Sequence, residues 1–140
     1  MTTLKKKICL MLALSFIFVG VMQFSVMASG VMPRNNNTAS TMTNFAITST
    51  GDAVVMLNFG GYPNITTGAT ISIKIEKRVL LFFWSDIVED TIVVNGDSYF
   101  GEHHYQLEDT GTYKCTVEYV VSGTGGADDV IPFEDTAVYE

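Results

Sequence analysis

The sequence predicts an all-β protein, an antiparallel sandwich of about seven short strands in one domain. Apolar and polar residues alternate with a period of two in ATISIKIEK (69–77) and TYKCTVEYVV (112–121), which is typical of strands with one face on a core. Segments rich in Val, Ile, Thr and Tyr alternate with Gly, Asn and Asp, as in β-sandwiches. No stretch of ten or more residues after residue 28 shows helical periodicity.

Residues 1–28 are predicted to be a signal peptide. Lys5–Lys7 form a basic start, Ile8–Val21 an apolar centre, and Val26–Ala28 a site for cleavage after Ala28. The alternative is an uncleaved anchor, because the apolar segment nearly reaches the length that spans a bilayer. We expect a secreted, extracellular protein, released or loosely held at the cell surface, with no stable membrane span after cleavage.

The mature chain is predicted to be strongly acidic. It keeps five cationic side chains against fifteen carboxylates, a net charge of −10. Such a domain repels phosphate backbones, so we expect no nucleic-acid partner. It also avoids anionic membrane surfaces unless apolar contact dominates. The five cations are Arg34, Lys74, Lys77, Arg78 and Lys114.

The mature chain has a single cysteine, because Cys9 lies within the predicted signal peptide. Cys115 therefore cannot form an intrachain disulfide. It is either a buried core thiol or a bridge to another chain, and we favour the buried thiol because free cysteines are among the most buried residues.

Residues 29–40 are polar, small and Asn-rich, and are predicted to be a flexible lead-in to a β-sandwich domain at 41–140. Residues 53–59 are apolar at most positions, which indicates a central strand. Asn95–Asp97 predicts a turn, and Pro132 places the last strand at an edge or at a bulge. The predicted strands cover about 42–49, 53–60, 70–78, 81–94 (with a break near Ser85), 98–107, 112–121 and 130–139.

The heptad DTGTYKC resembles the tyrosine corner of immunoglobulin-like domains. The resemblance implies that Asp109 and Gly111 form a tight turn, that Tyr113 is buried with its hydroxyl bonded back to that turn, and that Cys115 faces the same core. It also implies an immunoglobulin-like sandwich with Trp84 as a candidate core residue. The partner cysteine of that family is missing, and either Ile71 or Ile73 falls near its place.

A second resemblance is to short secreted proteins of Gram-positive bacteria in domain-of-unknown-function families. The matching pieces are ISIKIEKR (71–78), Trp84 and YKCTVEYVVSGTGG (113–126), after a signal peptide and a polar lead-in. Those families carry no assigned activity to transfer. Their loop before the Trp is usually polar, whereas here it is VLLFF.

The run Val79–Trp84 is the least ordinary feature, because six successive apolar residues cannot all face one core from one strand. The favoured interpretation is a turn that tucks into one end of the sandwich, with Phe83 or Trp84 reaching the core. The alternative is an exposed hairpin tip that contacts a partner, a sugar or a lipid surface. Its hydrophobic anchors would be Leu81, Phe82, Phe83 and Trp84.

Metal and catalytic sites are not predicted. His103 and His104 are adjacent, so on a strand they point to opposite faces, and calcium loops are absent. The acidic pairs at 89–90, 108–109, 128–129 and 134–135 indicate a solvated surface. We find no nucleophile motif, and loops this short disfavour a cleft.

The sequence therefore predicts a secreted, non-catalytic, adhesion-like binding module without a cofactor, whose partner is an extracellular protein or glycan. A bacteriocin-like toxin or inhibitor is the first alternative. A small glycan-active hydrolase is the second, because the spacing of catalytic carboxylates is spatial rather than sequential.

Overall fold

Seven strands make up the part of the chain that the structure, a computed structural model, describes: residues 35–140. The predicted signal peptide lies outside the described residues. No helix long and apolar enough to cross a bilayer occurs in residues 35–140. The strands are β1 (Thr38–Ile47), β2 (Asp52–Gly61), β3 (Thr66–Arg78), β4 (Trp84–Asn95), β5 (Ser98–Gln106), β6 (Gly111–Gly123) and β7 (Asp129–Tyr139).

The strands form two antiparallel sheets, ordered β1-β2-β5 and β4-β3-β6-β7, so the predicted seven-stranded sandwich is confirmed. In constant-type immunoglobulin domains the fourth strand extends the first sheet. Here β4 pairs with β3 and extends the second sheet. As predicted, β2 is central, and Pro132 lies on the edge strand β7, where a missing N–H costs no ladder bond on the open side.

The predicted turn after β4 joins the two sheets instead of closing a hairpin. Asn95 ends β4, and β5 begins at Ser98 in the other sheet. Gly96 has a φ of +120°, which side-chain-bearing residues rarely adopt. The Gly96 N–H donates to Thr67 O (3.1 Å), so the turn is also tied to the start of β3.

The core lies between the sheets and comes from the predicted alternation. Ile71, Ile73 and Ile75 of β3 are buried, and the buried face of β6 lies beside them. Cys115 is one of these β6 residues and is a fully buried free thiol, as predicted. Burial raises the pKa of Cys115 to about 12, with a smaller contribution from Asp135, so the thiol stays protonated and unreactive at neutral pH.

Two tyrosines carry hydrogen bonds from one sheet to the other. The hydroxyls of Tyr119 on β6 and Thr43 on β1 share a hydrogen bond of 2.6 Å. Tyr105 on β5 donates to Asp90 Oδ2 on β4 (2.8 Å), and Asp90 faces inward beside Ile73. Burial, and then this bond, raises the pKa of Tyr105. These bonds satisfy polar groups that the sandwich would otherwise bury unpaired.

The first strand starts earlier than expected, inside the segment predicted as a flexible lead-in. Asn37 and Thr38 are buried, and the Asp129 carboxylate accepts hydrogen bonds from the N–H groups of Asn36 (2.8 Å) and Asn37 (2.7 Å) and from the Thr38 hydroxyl (2.9 Å). Burial opposes ionisation of Asp129, but these bonds outweigh it and hold its pKa below the ordinary value. A polar segment is therefore ordered by a partner about ninety residues away in the sequence.

The tyrosine-corner heptad adopts the geometry that its resemblance implies. Tyr113 is buried, and its hydroxyl donates to the Asp109 carbonyl oxygen at 2.5 Å. Gly111 lies between them with a φ of +147°, so the tight turn needs a residue without a Cβ. The bond fixes the entry of β6 into the four-stranded sheet.

Replacing Tyr113 by Phe should lower the free energy of unfolding by about 1 kcal/mol, because one part-buried hydrogen bond is lost with little change in packing. Denaturant unfolding of residues 29–140 measures this change in the free energy of unfolding. This segment contains both sheets and the whole described core. Tyr62→Phe, at an exposed tyrosine, is the matched control and should have no effect. Equal stability of both variants would show that the corner bond contributes nothing.

Candidate functional site: an apolar hairpin tip

The hairpin tip, defined as Val79–Phe83, connects β3 to β4. Its backbone is closed by two hydrogen bonds: the Val79 N–H donates to Phe83 O (3.0 Å), and the Phe83 N–H donates to Leu80 O (3.4 Å). Arg78, which ends β3, pairs with Trp84, which begins β4. The tip is therefore a closed turn that continues the sheet, with a defined backbone.

All five side chains of the hairpin tip are exposed, so the favoured interpretation of a turn tucked into the sandwich is wrong. The strand pairing continues to Arg78 and Trp84, which leaves the tip beyond the end of the sheet, where it cannot reach the core. The β4 strand correspondingly begins at Trp84, three residues later than predicted. The exposed fractions are 55% for Val79, 66% for Leu80, 82% for Leu81, 86% for Phe82 and 63% for Phe83.

Trp84 is not the core tryptophan that the immunoglobulin-like resemblance implied. It is half-buried at the start of β4 on the outer face of the four-stranded sheet, and Ile71 and Ile73 lie in the core. Lys114 Nζ lies 4.8 Å from the centroid of the Trp84 ring, and Arg78 Cζ lies 5.9 Å away. Cations at these distances are attracted to the negative face of the ring and hold it at the base of the tip.

The four cations of residues 35–140 are concentrated on the tip-proximal halves of β3 and β6, although this part of the chain holds all fifteen carboxylates. Three of them form ion pairs: Lys74 Nζ with Asp86 (2.9 Å), Lys114 Nζ with Glu76 (2.8 Å) and Lys77 Nζ with Asp109 (3.2 Å). The hydrogen bond to Asp86 raises the pKa of Lys74.

Arg78 differs from the three lysines because its guanidinium donates to the neutral Thr112 hydroxyl (3.1 Å). It thus brings a positive charge next to the hairpin tip. We call Arg78, Trp84 and Lys114 the collar of the tip. Sequence reasoning identified the apolar run but missed the collar cations. The available signal was the alternation itself, which places Lys114 on the outward face of β6.

A small cleft opens beside the tip, between β4 and the segment that enters β6. Its volume is about 230 Å³, below the range of about 300–1,000 Å³ typical of small-molecule sites. One of its two acidic residues, Asp109, is paired with Lys77. This geometry gives no support to the hydrolase alternative. The cleft is lined by Lys77, Ile87, Val88, Gln106, Glu108, Asp109 and Tyr113.

The adjacent histidines lie on opposite faces of β5. His103 Nε2 is 2.8 Å from the Tyr99 hydroxyl, whereas the exposed His104 lies between Asp52 (2.7 Å from Nδ1) and Glu102 (2.8 Å from Nε2). Hydrogen bonds to Asp52, and then to Glu102, raise the pKa of His104. Within residues 35–140, no three His, Cys, Asp or Glu side chains are grouped to hold a metal ion.

No family model, no curated protein and no solved structure matches this chain. The site is therefore defined by its own geometry: an antiparallel sandwich that presents a closed apolar turn above a tryptophan flanked by two cations.

Serine at Leu81 or Phe82 should change the free energy of unfolding by less than about 0.5 kcal/mol, because both side chains are already in water. Ile73→Ala, in the core, should cost about 2–5 kcal/mol and serves as the control. Chemical denaturation compares the three variants. A loss of more than about 1 kcal/mol at Phe82 would show that the tip is part of the fold.

His104 should titrate above its unfolded value of 6.5. Because the folded pKa is the higher one, protonation of His104 stabilises the fold fully below pH 6.5, and this contribution is lost as the pH rises through the folded pKa. NMR titration of the imidazole signals measures the pKa. Asp52→Asn should lower it, and Asp86→Asn, on the other sheet, should not. A pKa at or below 6.5 in the unmodified protein would contradict the expected contacts.

Proposed function

We propose that the protein is a secreted, non-catalytic extracellular binding module that engages its partner through the hairpin tip. The observation that carries this proposal is a closed turn of five successive apolar side chains, each more than half exposed. Apolar surface in water costs about 25 cal/mol per Å², and contiguous exposed apolar patches usually mark interaction sites. A role in the fold does not account for these side chains, because they lie outside the core.

The chemistry of the tip restricts the partner. Val, Leu and Phe side chains offer no hydrogen-bond donor or acceptor, whereas a glycan presents hydroxyls that need them. The tip therefore fits an apolar surface better than a sugar. Of the two partner classes expected from the sequence, a glycan is therefore the one that the tip disfavours.

Aromatic anchors carry much of the energy of an interface when a partner buries them. Labelled residues 29–140 should bind intact cells of the source organism, and Phe82→Ser should reduce the bound label at least about tenfold, since burying a Phe contributes about 1.5–3 kcal/mol. The label belongs on the terminal amine, because the Cys115 thiol is buried.

Phe100→Ser is the matched control for the cell-binding experiment. Phe100 is 67% exposed, the substitution is the same, and the residue lies on β5 in the other sheet. It should leave the bound label unchanged. If the two variants bind equally, the tip is not the binding element and the proposed function is wrong.

A further inference from the structure

We infer that the hairpin tip docks on a phospholipid surface without net charge, inserting its apolar side chains below the headgroups while the collar lies among them. This inference rests on the proposed function and names the occupant of the same site. It concerns a peripheral contact and no membrane span.

The shape of the tip favours a bilayer over a protein partner. The tip is a convex turn, and exposed apolar side chains project from both arms of the hairpin. A protein would need a matching concave pocket to cover them, whereas a lipid interface adapts to any convex apolar shape. Two residues on each arm beyond the Arg78–Trp84 pair project about 7 Å at the usual rise per residue. Interfacial elements bury their apolar side by a similar depth of about 5–10 Å.

The collar supplies the side chains that suit headgroup depth. Tryptophan is enriched at membrane interfaces, where its ring is partly apolar and partly hydrated. Trp84 lies directly below the apolar turn. Arg78, close to the ring and without a carboxylate partner, can extend its charged end toward lipid phosphates while its stem stays on apolar surface, whereas Lys114 stays paired with Glu76. The apolar tip would thus lie at the depth of the acyl chains, and Trp84 and the charged end of Arg78 at the depth of the headgroups.

The charge distribution indicates which lipid surface fits. Residues 35–140 carry four cations and fifteen carboxylates, so an anionic membrane repels the domain as a whole. Near the tip the repulsion is relieved, because Glu76, Asp86 and Asp109 are each paired with a lysine. A surface of zwitterionic headgroups offers phosphates to the collar without a net negative potential.

The strand directions place the tip and the first described residues at opposite ends of the sandwich. The tip lies where β6 begins and β7 ends, since Lys77 pairs with Tyr113 and Gly111 pairs with Tyr139. Asn36 and Asn37 are bonded to Asp129, where β7 begins, at the opposite end of the sandwich. The first described residues of the chain therefore lie at the end of the sandwich opposite the docking end.

The experiment uses residues 29–140 and vesicles of phosphatidylcholine, with Trp84 as reporter because the chain has no other tryptophan. Docking should shift Trp84 emission to the blue and make it sensitive to brominated acyl chains. Phe82→Ser and Leu81→Ser should each weaken partition by about tenfold or more, the loss expected for one buried apolar side chain. Phe100→Ser, exposed to a similar degree elsewhere, should bind like the unmodified protein.

Equimolar phosphatidylcholine and phosphatidylglycerol vesicles form the second arm. We expect weaker binding to them than to pure phosphatidylcholine at low salt, with the difference shrinking as salt screens the repulsion. Binding confined to the anionic vesicles and insensitive to Phe82→Ser would overturn the inference. So would failure to bind any vesicle while Phe82→Ser still reduces binding to cells. That last outcome would identify a protein partner and leave the proposed function standing.

Discussion

The pairing of β3 with β6 supports everything else in this domain. It places Ile71, Ile73 and Ile75 beside the buried face of β6, and so forms the centre of the larger sheet. The same pairing brings the outward residues of the two strands together at the tip end, where Lys114 meets the Trp84 ring. The Tyr113 bond to Asp109 fixes where β6 enters this arrangement. The core residues and the collar cations thus lie on opposite faces of one strand pair, and a register shift of one residue would exchange these faces.

The fold buries the apolar residues of β3, whereas the hairpin tip that follows β3 exposes apolar residues. A strand that ended at Arg78 in a short polar turn would cost nothing in exposed apolar surface. β3 does end at Arg78, paired with Trp84, but the turn that follows it carries apolar residues into solvent. The cations and their carboxylate partners then stabilise the outer face just below the turn. The tip is thus joined to the sheet through paired strands, while its own side chains lie outside the core.

Much of the fold follows from local sequence pattern. Period-two alternation located β3 and β6, and the apolar segment 53–59 identified the central strand β2. The heptad predicted the corner of Tyr113, because all of its atoms lie within a few residues. Features that depend on residues distant in the sequence were not predicted. The start of β1 is ordered by Asp129, and the exposure of the tip depends on how far β3 and β4 remain paired. The period-two pattern alone does not show where strand pairing ends, so the run 79–84 was compatible with a tucked and an exposed turn, and the tucked turn was wrongly favoured.

The inward-facing Asp90 has a consequence for how this protein behaves at high concentration. β4 is an edge strand, and it begins directly after the apolar tip. An unpaired edge strand beside an exposed apolar turn favours edge-to-edge strand pairing between neighbouring molecules. The Asp90 carboxylate lies on the inner side of that edge and accepts a hydrogen bond from Tyr105. A strand that paired with β4 from another molecule would bury this carboxylate away from water. The charge that helps to join the two sheets also protects the edge against self-assembly, so that the molecule can display an apolar surface and stay dispersed.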